Sequence, residues 1–139
     1  REMLHRCREV IPEVSVSSDF IVGFCGETEE SFAKTMKLVE ESKFKNSFIF
    51  KYSTREGTKA DELYPDDIPE EVKKRRNNDL LGVQNVNCLE DHKKQVGKVT
   101  PVLVEGYSKV GERQTGSGPR QLMGKTMTDH TVVFDGNPR

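Results

Sequence analysis

The chain has 139 residues, about one domain's worth, with 33% hydrophobic residues, 32% charged residues and a formal net charge of −1. That balance permits only a modest core and excludes bulk attraction to nucleic acid or an anionic membrane, so any such contact must come from a local patch. No apolar run approaches the roughly 20 residues of a membrane helix, no signal peptide is expected, and Cys7, Cys25 and Cys88 are widely spaced with no CxxC, which suggests neither a disulfide framework nor a zinc site and fits a reducing, cytoplasmic setting.

The N-terminus reads as mid-helix, so a piece of a longer protein is expected. Met3 to Ile11 predicts the end of an amphipathic helix, stopped at Pro12 because proline cannot continue the hydrogen-bond ladder. Val14 to Phe24 predicts a strand that ends in two glycines, Gly23 and Gly26. Thr28 is a candidate N-cap, with Glu29 and Glu30 in the favoured first turn. Phe32, Met36, Val39 and Leu38 recur at helical spacing and predict the buried stripe. Phe48 to Ser53 predicts a second strand, and the order strand, helix, strand points to an α/β unit with parallel strands.

Asp66, Asp67 and Pro69 signal a helix start, and one long, fairly exposed helix is predicted to end near Gly97. Its Lys73-Lys74-Arg75-Arg76 run reads as a solvated face, part of it paired with Glu70 and Glu71 at i to i+4. Val99 to Glu105 predicts a strand with Pro101 inside it, hence an edge strand or a bulge. Tyr107 to Pro119 reads as a loop, Gly124 to Met127 and Thr131 to Phe134 as short strands, and Asp135-Gly136-Asn137 as a turn. Such strands suggest a small β-barrel of the oligonucleotide-binding kind.

Chemistry concentrates where the first strand meets its helix, because cofactors sit at the C-terminal ends of strands in open α/β sheets and barrels. Gly118 to Thr126 ends in Gly-Lys-Thr, but Pro119 stands at the first required glycine and the flanks read as strand, which rejects a phosphate loop. His5, His92 and His130 show no ligand spacing with one another or with the cysteines, and no Ser-His-Asp order appears.

Asp19-x-Ile21-Val22-Gly23-Phe24-x-Gly26-Glu27-Thr28-Glu29-Glu30-x-Phe32 closely resembles the radical-SAM methylthiotransferases, with Cys25 where that family usually has Pro. Phe50-x-Tyr52-Ser53-x-Arg55-x-Gly57-Thr58-x-Ala60 resembles its next landmark, with Glu56 in place of Pro. Val102 to Gly106 and Gly124 to Gly136 resemble the start of its TRAM domain, an RNA-binding β-barrel, with Lys125 where Arg is usual. The resemblance covers nearly the whole chain and is to the MiaB-type tRNA methylthiotransferases.

It implies an α/β fold: the C-terminal part of a radical-SAM partial (β/α) barrel over 1–66, a linker helix over 67–96, and a truncated TRAM domain over 97–139. It implies S-adenosylmethionine as cofactor, held by Ile21, Val22, Gly23, Phe24, Tyr52, Ser53 and Arg55. It also implies two [4Fe-4S] clusters in the parent protein, with ligands outside this chain, so no catalytic residue and no metal ligand is assigned here. The implied substrate is a tRNA anticodon stem-loop, methylthiolated at C2 of an isopentenyladenosine. Lys109, Arg113, Arg120 and Lys125 are the implied RNA contacts, although 97–139 carries only six Lys/Arg against four Asp/Glu. A cytoplasmic monomer without membrane contact is expected. The isolated chain, lacking CxxxCxxC and leaving sheet edges open, is expected to be inactive and poorly stable. Two rivals stay open: a methylthiotransferase for threonylcarbamoyladenosine in tRNA or for a ribosomal-protein aspartate, and a non-catalytic RNA-binding module.

Overall fold

A computed structural model of the chain describes residues 1–116 and 118–136. Helix α1 (Glu2–Val10) ends ahead of Pro12, where the Ile11 N–H donates to the Cys7 carbonyl at 2.8 Å. Strand β1 (Ser17–Val22) starts three residues later than its apolar run suggests and stops where Gly23 takes φ +72°. Helix α2 (Glu29–Ser42) is capped by Thr28, whose Oγ1 accepts from the Ser31 N–H at 3.1 Å. Its Phe32 and Val39 are buried, and Met36 packs partly buried beside them. Strand β2 (Asn46–Lys51) pairs with β1 in parallel, from Ser17 beside Asn46 to Val22 beside Lys51. A short helix α3 (Lys59–Leu63), unforeseen from the sequence, follows, capped by Thr58. The chain is thus mixed α/β with small open sheets.

Helix α4 (Glu70–Lys93) completes this part of the chain, and its packing departs from the sequence reading. The buried residues are Lys73, Arg76, Leu80, Gln84 and Asn87, spaced three or four apart as one helical face requires, and only Leu80 is apolar. Leu80 joins Val22, Phe32, Val39 and Phe44 in the core. The buried amides, with half-buried Asn77 beside them, reach carbonyls in α2, in β2 and in the loop between them. Asn87 Nδ2 donates to the Val39 carbonyl at 2.9 Å, Gln84 Nε2 to that of Phe44 at 3.0 Å, and Asn77 Nδ2 to that of Ile49 at 3.1 Å. The Ser47 hydroxyl donates to Gln84 Oε1 at 3.0 Å, so this buried amide is engaged at both ends.

The expected solvated run is therefore split. Lys74 and Arg75 are exposed, whereas Lys73 and Arg76 are each 3% exposed. Their partners are not Glu70 and Glu71. Lys73 pairs with Asp66 at 2.6 Å, Arg76 with Glu27 at 2.8 Å and Glu29 at 2.7 Å, and Glu70 pairs with Lys51. The physical reason is acid supplied from 27–29 and 66, which meets the buried cations so that no isolated charge is left inside.

Arg1–Pro12 and Val16–Val96 form one compact unit, α4 included, and Glu13–Ser15 with the described residues from Gly97 onward form another. In the second unit β3 (Val102–Tyr107), β4 (Arg120–Thr126) and β5 (Thr131–Gly136) form an antiparallel sheet in the order 3-4-5. β3 is an edge strand, as expected, but it begins after Pro101, and the register shift lies between Val104 and Gly106. A 3-10 turn (Gly111–Arg113) interrupts the expected loop. Asp135 and Gly136 continue β5 rather than turning, and Asn137 of the expected turn lies outside the described residues. Gly124 of the rejected phosphate-loop pattern lies in β4, where a Cβ would sit 2.2 Å from the Leu103 carbonyl oxygen.

Two glycines should therefore respond in opposite directions. Gly82→Ala, in the α4 interior with nothing within 4 Å of the added atom, should stabilise by about 0.5–1 kcal/mol. Gly124→Ala should force β3 away and cost about 1–3 kcal/mol. Urea denaturation of the chain and its two variants checks both signs.

Glu29 gives a pH-dependent expectation. Hydrogen bonds from Arg75 and Arg76 hold its carboxyl below the usual glutamate range. A lowered folded-state pKa means the unfolded chain binds the proton more readily, so this stabilisation is present above the unfolded pKa and is lost as pH falls through the folded one. Glu29 is exposed, so the effect is screened and modest. Melting temperature against pH should show a smaller acid-side fall in Glu29→Gln than in the parent chain, the two curves converging at the lowest pH.

Candidate functional site

Side chains alternate across β1 and β2, and only one face of the pair is covered. Phe20, Val22 and Ile49 turn to the core. Ile21, Phe48 and Phe50 lie on the open face, 58%, 57% and 54% exposed, more than ordinary packing leaves for such side chains. The register sets Asp19 beside Phe48 and Ile21 beside Phe50, and the Phe48 and Phe50 rings stack with centroids 6.5 Å apart. At the C-terminal ends of both strands this face opens into a cleft of about 530 Å³, lined by Asp19, Ile21, Phe50, Lys51, Tyr52, Ser53, Arg55, Thr58 and Ala60. Its size falls within the range of small-molecule sites.

Each wall has a local cause. The Tyr52 N–H donates to the Val22 carbonyl at 2.9 Å and ties the two strand ends together. Beyond it the Arg55 carbonyl accepts from the Thr58 hydroxyl at 2.8 Å and the Thr58 N–H at 3.2 Å, which fixes the backbone while the Arg55 side chain stays exposed. Glu56 and Gly57 form that turn, with Gly57 at φ +77°. The Tyr52 ring is buried, edge-on to Phe24 at 4.9 Å, with Lys73 Nζ 5.4 Å from its centroid. Burial, and next the Cys25 thiol beside it, pushes the Tyr52 phenol up, so it stays neutral at physiological pH. Its hydroxyl is buried without a hydrogen-bond partner among the described residues. On the rim, Lys51 holds the Glu70 carboxyl below its usual range. Neither Asp19 nor the Arg55 guanidinium has an ion-pair partner among the described residues.

The turn after β1 is tightly specified. The Gly23 N–H donates to Glu27 Oε2 at 2.6 Å, the Gly26 N–H to Asp67 Oδ1 at 2.8 Å, and the Glu27 N–H to the Phe24 carbonyl at 2.9 Å. A Cβ on Gly23 would lie 2.4 Å from Lys73 Cγ, so close packing of α4 and the positive φ both require glycine here. Cys25 is half-buried, with Sγ 3.8 Å from the Tyr64 carbonyl oxygen.

Of the seven residues assigned to cofactor binding, Ile21, Tyr52, Ser53 and Arg55 meet in the cleft. Val22 faces the core at 0% exposure, and Gly23 and Phe24 stand in the adjoining turn. Asp19, Phe50 and Lys51 also line the cleft. Strand alternation from Ile21, carried across the parallel register, is the signal that points to Asp19 and Phe50, whereas Lys51, paired with Val22, alternates to the other face and carries no such signal.

The four basic residues of the second unit are not gathered on one surface. Lys109 and Arg113 are exposed before and at the end of the 3-10 turn. Arg120 opens β4 with its guanidinium 5.1 Å from the Tyr107 ring centroid, and Lys125 pairs with Asp129 at 3.0 Å. Arg120 and Lys125 are five positions apart in one strand, which sends them to opposite faces. Among the described residues no group of three His, Cys, Asp or Glu could hold a metal ion, and no helix is long and apolar enough to cross a membrane.

No protein-family model matches the chain. Curated relatives match throughout. A tRNA-2-methylthio-N(6)-dimethylallyladenosine synthase of Rhodopirellula baltica is 55% identical over 139 residues, 99% of this chain and 29% of the relative. Proteins of the same name from an Acidovorax species and from Methylacidiphilum infernorum are 46% and 43% identical over 100% and 99% of the chain. The chain is thus homologous over its whole length to tRNA-2-methylthio-N(6)-dimethylallyladenosine synthases, and spans somewhat under a third of theirs.

Proposed function

We propose that this chain is part of a tRNA-modifying methylthiotransferase that adds a methylthio group to C2 of N6-isopentenyladenosine next to the anticodon, using S-adenosylmethionine. The observation that carries this reading is 55% identity across the full chain to a protein named for that modification. In this reading residues 1–66 are the C-terminal part of a radical-SAM barrel, 67–96 a linker helix and 97–139 the start of a TRAM domain, acting in a cytoplasmic monomer.

The cleft's residues suit the cofactor. Ile21 and Phe50 give apolar surface for a purine, and Arg55 offers a planar fork for a carboxylate. When bound, S-adenosylmethionine supplies a radical source and a methyl group. The chain's part is to hold it: the Tyr52–Val22 bond keeps the strand ends in register, and the anchored Arg55 backbone aims the side chain. Among the described residues no group of three His, Cys, Asp or Glu could ligate an iron–sulfur cluster. Lys109, Arg113, Arg120 and Lys125 would meet RNA as separate contacts, and binding through them should be weak and strongly salt-dependent.

Two results are expected. Cells lacking the intact parent gene should lose 2-methylthio-isopentenyladenosine from total tRNA and accumulate isopentenyladenosine, read by nucleoside mass spectrometry. Unchanged nucleosides, with no redundant enzyme present, would refute the tRNA assignment. Arg55→Ala in the intact parent protein should weaken S-adenosylmethionine binding by about tenfold or more, as for loss of a charge-assisted hydrogen bond, measured by calorimetry.

A further inference from the structure

We infer that Arg76 of α4 is a positioning residue for the cleft, acting through Glu27 and the Gly23–Glu27 turn. The inference rests on the cofactor reading proposed above and deepens it, because it makes one residue outside the cleft part of the binding machinery.

One carboxylate oxygen carries the argument. Glu27 Oε2 accepts the Gly23 N–H at 2.6 Å and Arg76 Nη1 at 2.8 Å. Arg76 Nη1 also donates to the Glu27 carbonyl at 3.0 Å, and Nη2 to Glu29 Oε1 at 2.7 Å. The guanidinium thus grips the turn by backbone and side chain at once. Arg76 is 3% exposed and the Glu27 side chain 13%, so neither has bulk water as a substitute partner. Without Arg76 the Glu27 carboxylate would be left desolvated and uncompensated, and its cheapest escape is to swing outward, releasing the Gly23 N–H. Gly23 follows Ile21 of the cleft wall by two residues, and Phe24 braces the buried Tyr52 ring. A shift in the turn therefore reaches both walls of the cleft.

The same helix provides its own control. Asn87 is as buried as Arg76, but it bonds the Val39 carbonyl in α2 and does not touch the turn. A purely structural role for α4 would make Arg76 and Asn87 equivalent.

The test uses the intact parent protein. S-adenosylmethionine and S-adenosylhomocysteine binding are measured by calorimetry, with melting temperature alongside, for Arg76→Met, Arg76→Lys, Glu27→Gln and Asn87→Ala. Arg76→Met and Glu27→Gln should raise both dissociation constants by roughly tenfold, as for misplacement of a binding wall. Arg76→Lys, which keeps the charge and loses the fork, should fall between. Asn87→Ala should lower the melting temperature and leave both dissociation constants at the wild-type value. In turnover, KM for S-adenosylmethionine should rise while KM for tRNA holds. Should Arg76→Met fail to fold, Arg76→Lys and Glu27→Gln carry the comparison. Wild-type dissociation constants in the folded turn variants, or an equal rise in Asn87→Ala, overturn the inference alone. No saturable binding by the wild-type protein overturns the cofactor reading and the inference with it.

Discussion

The first unit depends on a polar helix face turned inward. Parallel strands and an α-helix leave carbonyls open at their ends, and a buried carbonyl without a partner costs about 1–3 kcal/mol. Helix α4 lays Asn87, Gln84 and Asn77 against three such carbonyls in α2, β2 and the loop between them, with Leu80 in the apolar core among them. At its other end Arg76 and Lys73 meet Glu27 and Asp66. A buried ion pair is seldom worth more than a well-packed apolar pair of equal volume, yet removing one partner costs several kcal/mol. The arrangement therefore acts mainly as a registration device. The observed rotation and axial position of α4 bring these partners together and put Lys73 where a Gly23 side chain would have been.

The elements read from sequence without error were those with local causes. Pro12 ends α1, Thr28 caps α2, and the strand–helix–strand order yields a parallel pair, because each depends on residues close in the chain. The face of α4 was misread because apolar periodicity is blind to a stripe of Lys, Arg, Gln and Asn, and, apart from Asp66 beside Lys73, its partners lie 28 to 49 residues away. Helix α3 is five residues long and carries no periodic signal, only its Thr58 cap. The reading of Asp135-Gly136 as a turn followed residue preference where β-pairing with Arg120 and Gln121 prevails.

The candidate cleft was half legible. Ile21, Tyr52, Ser53 and Arg55 could be named because their order along the chain carries the resemblance. Phe50 and Asp19 needed knowledge of which face of each strand is covered, and that is decided by α2 and α4 packing on the other side. Val22 shows the converse, since the residue that follows cleft-facing Ile21 must face the core by strand alternation.

The inward polar face also shapes how stability responds to temperature. Apolar surface raises the heat capacity of the unfolded chain by about 0.45 cal/K/mol per Å², whereas newly exposed polar surface lowers it by about 0.26. A unit whose longest helix buries mostly amides and charged groups therefore gains less heat capacity on unfolding than one sealed by leucines. Its stability curve is correspondingly shallow, with weaker curvature toward the cold.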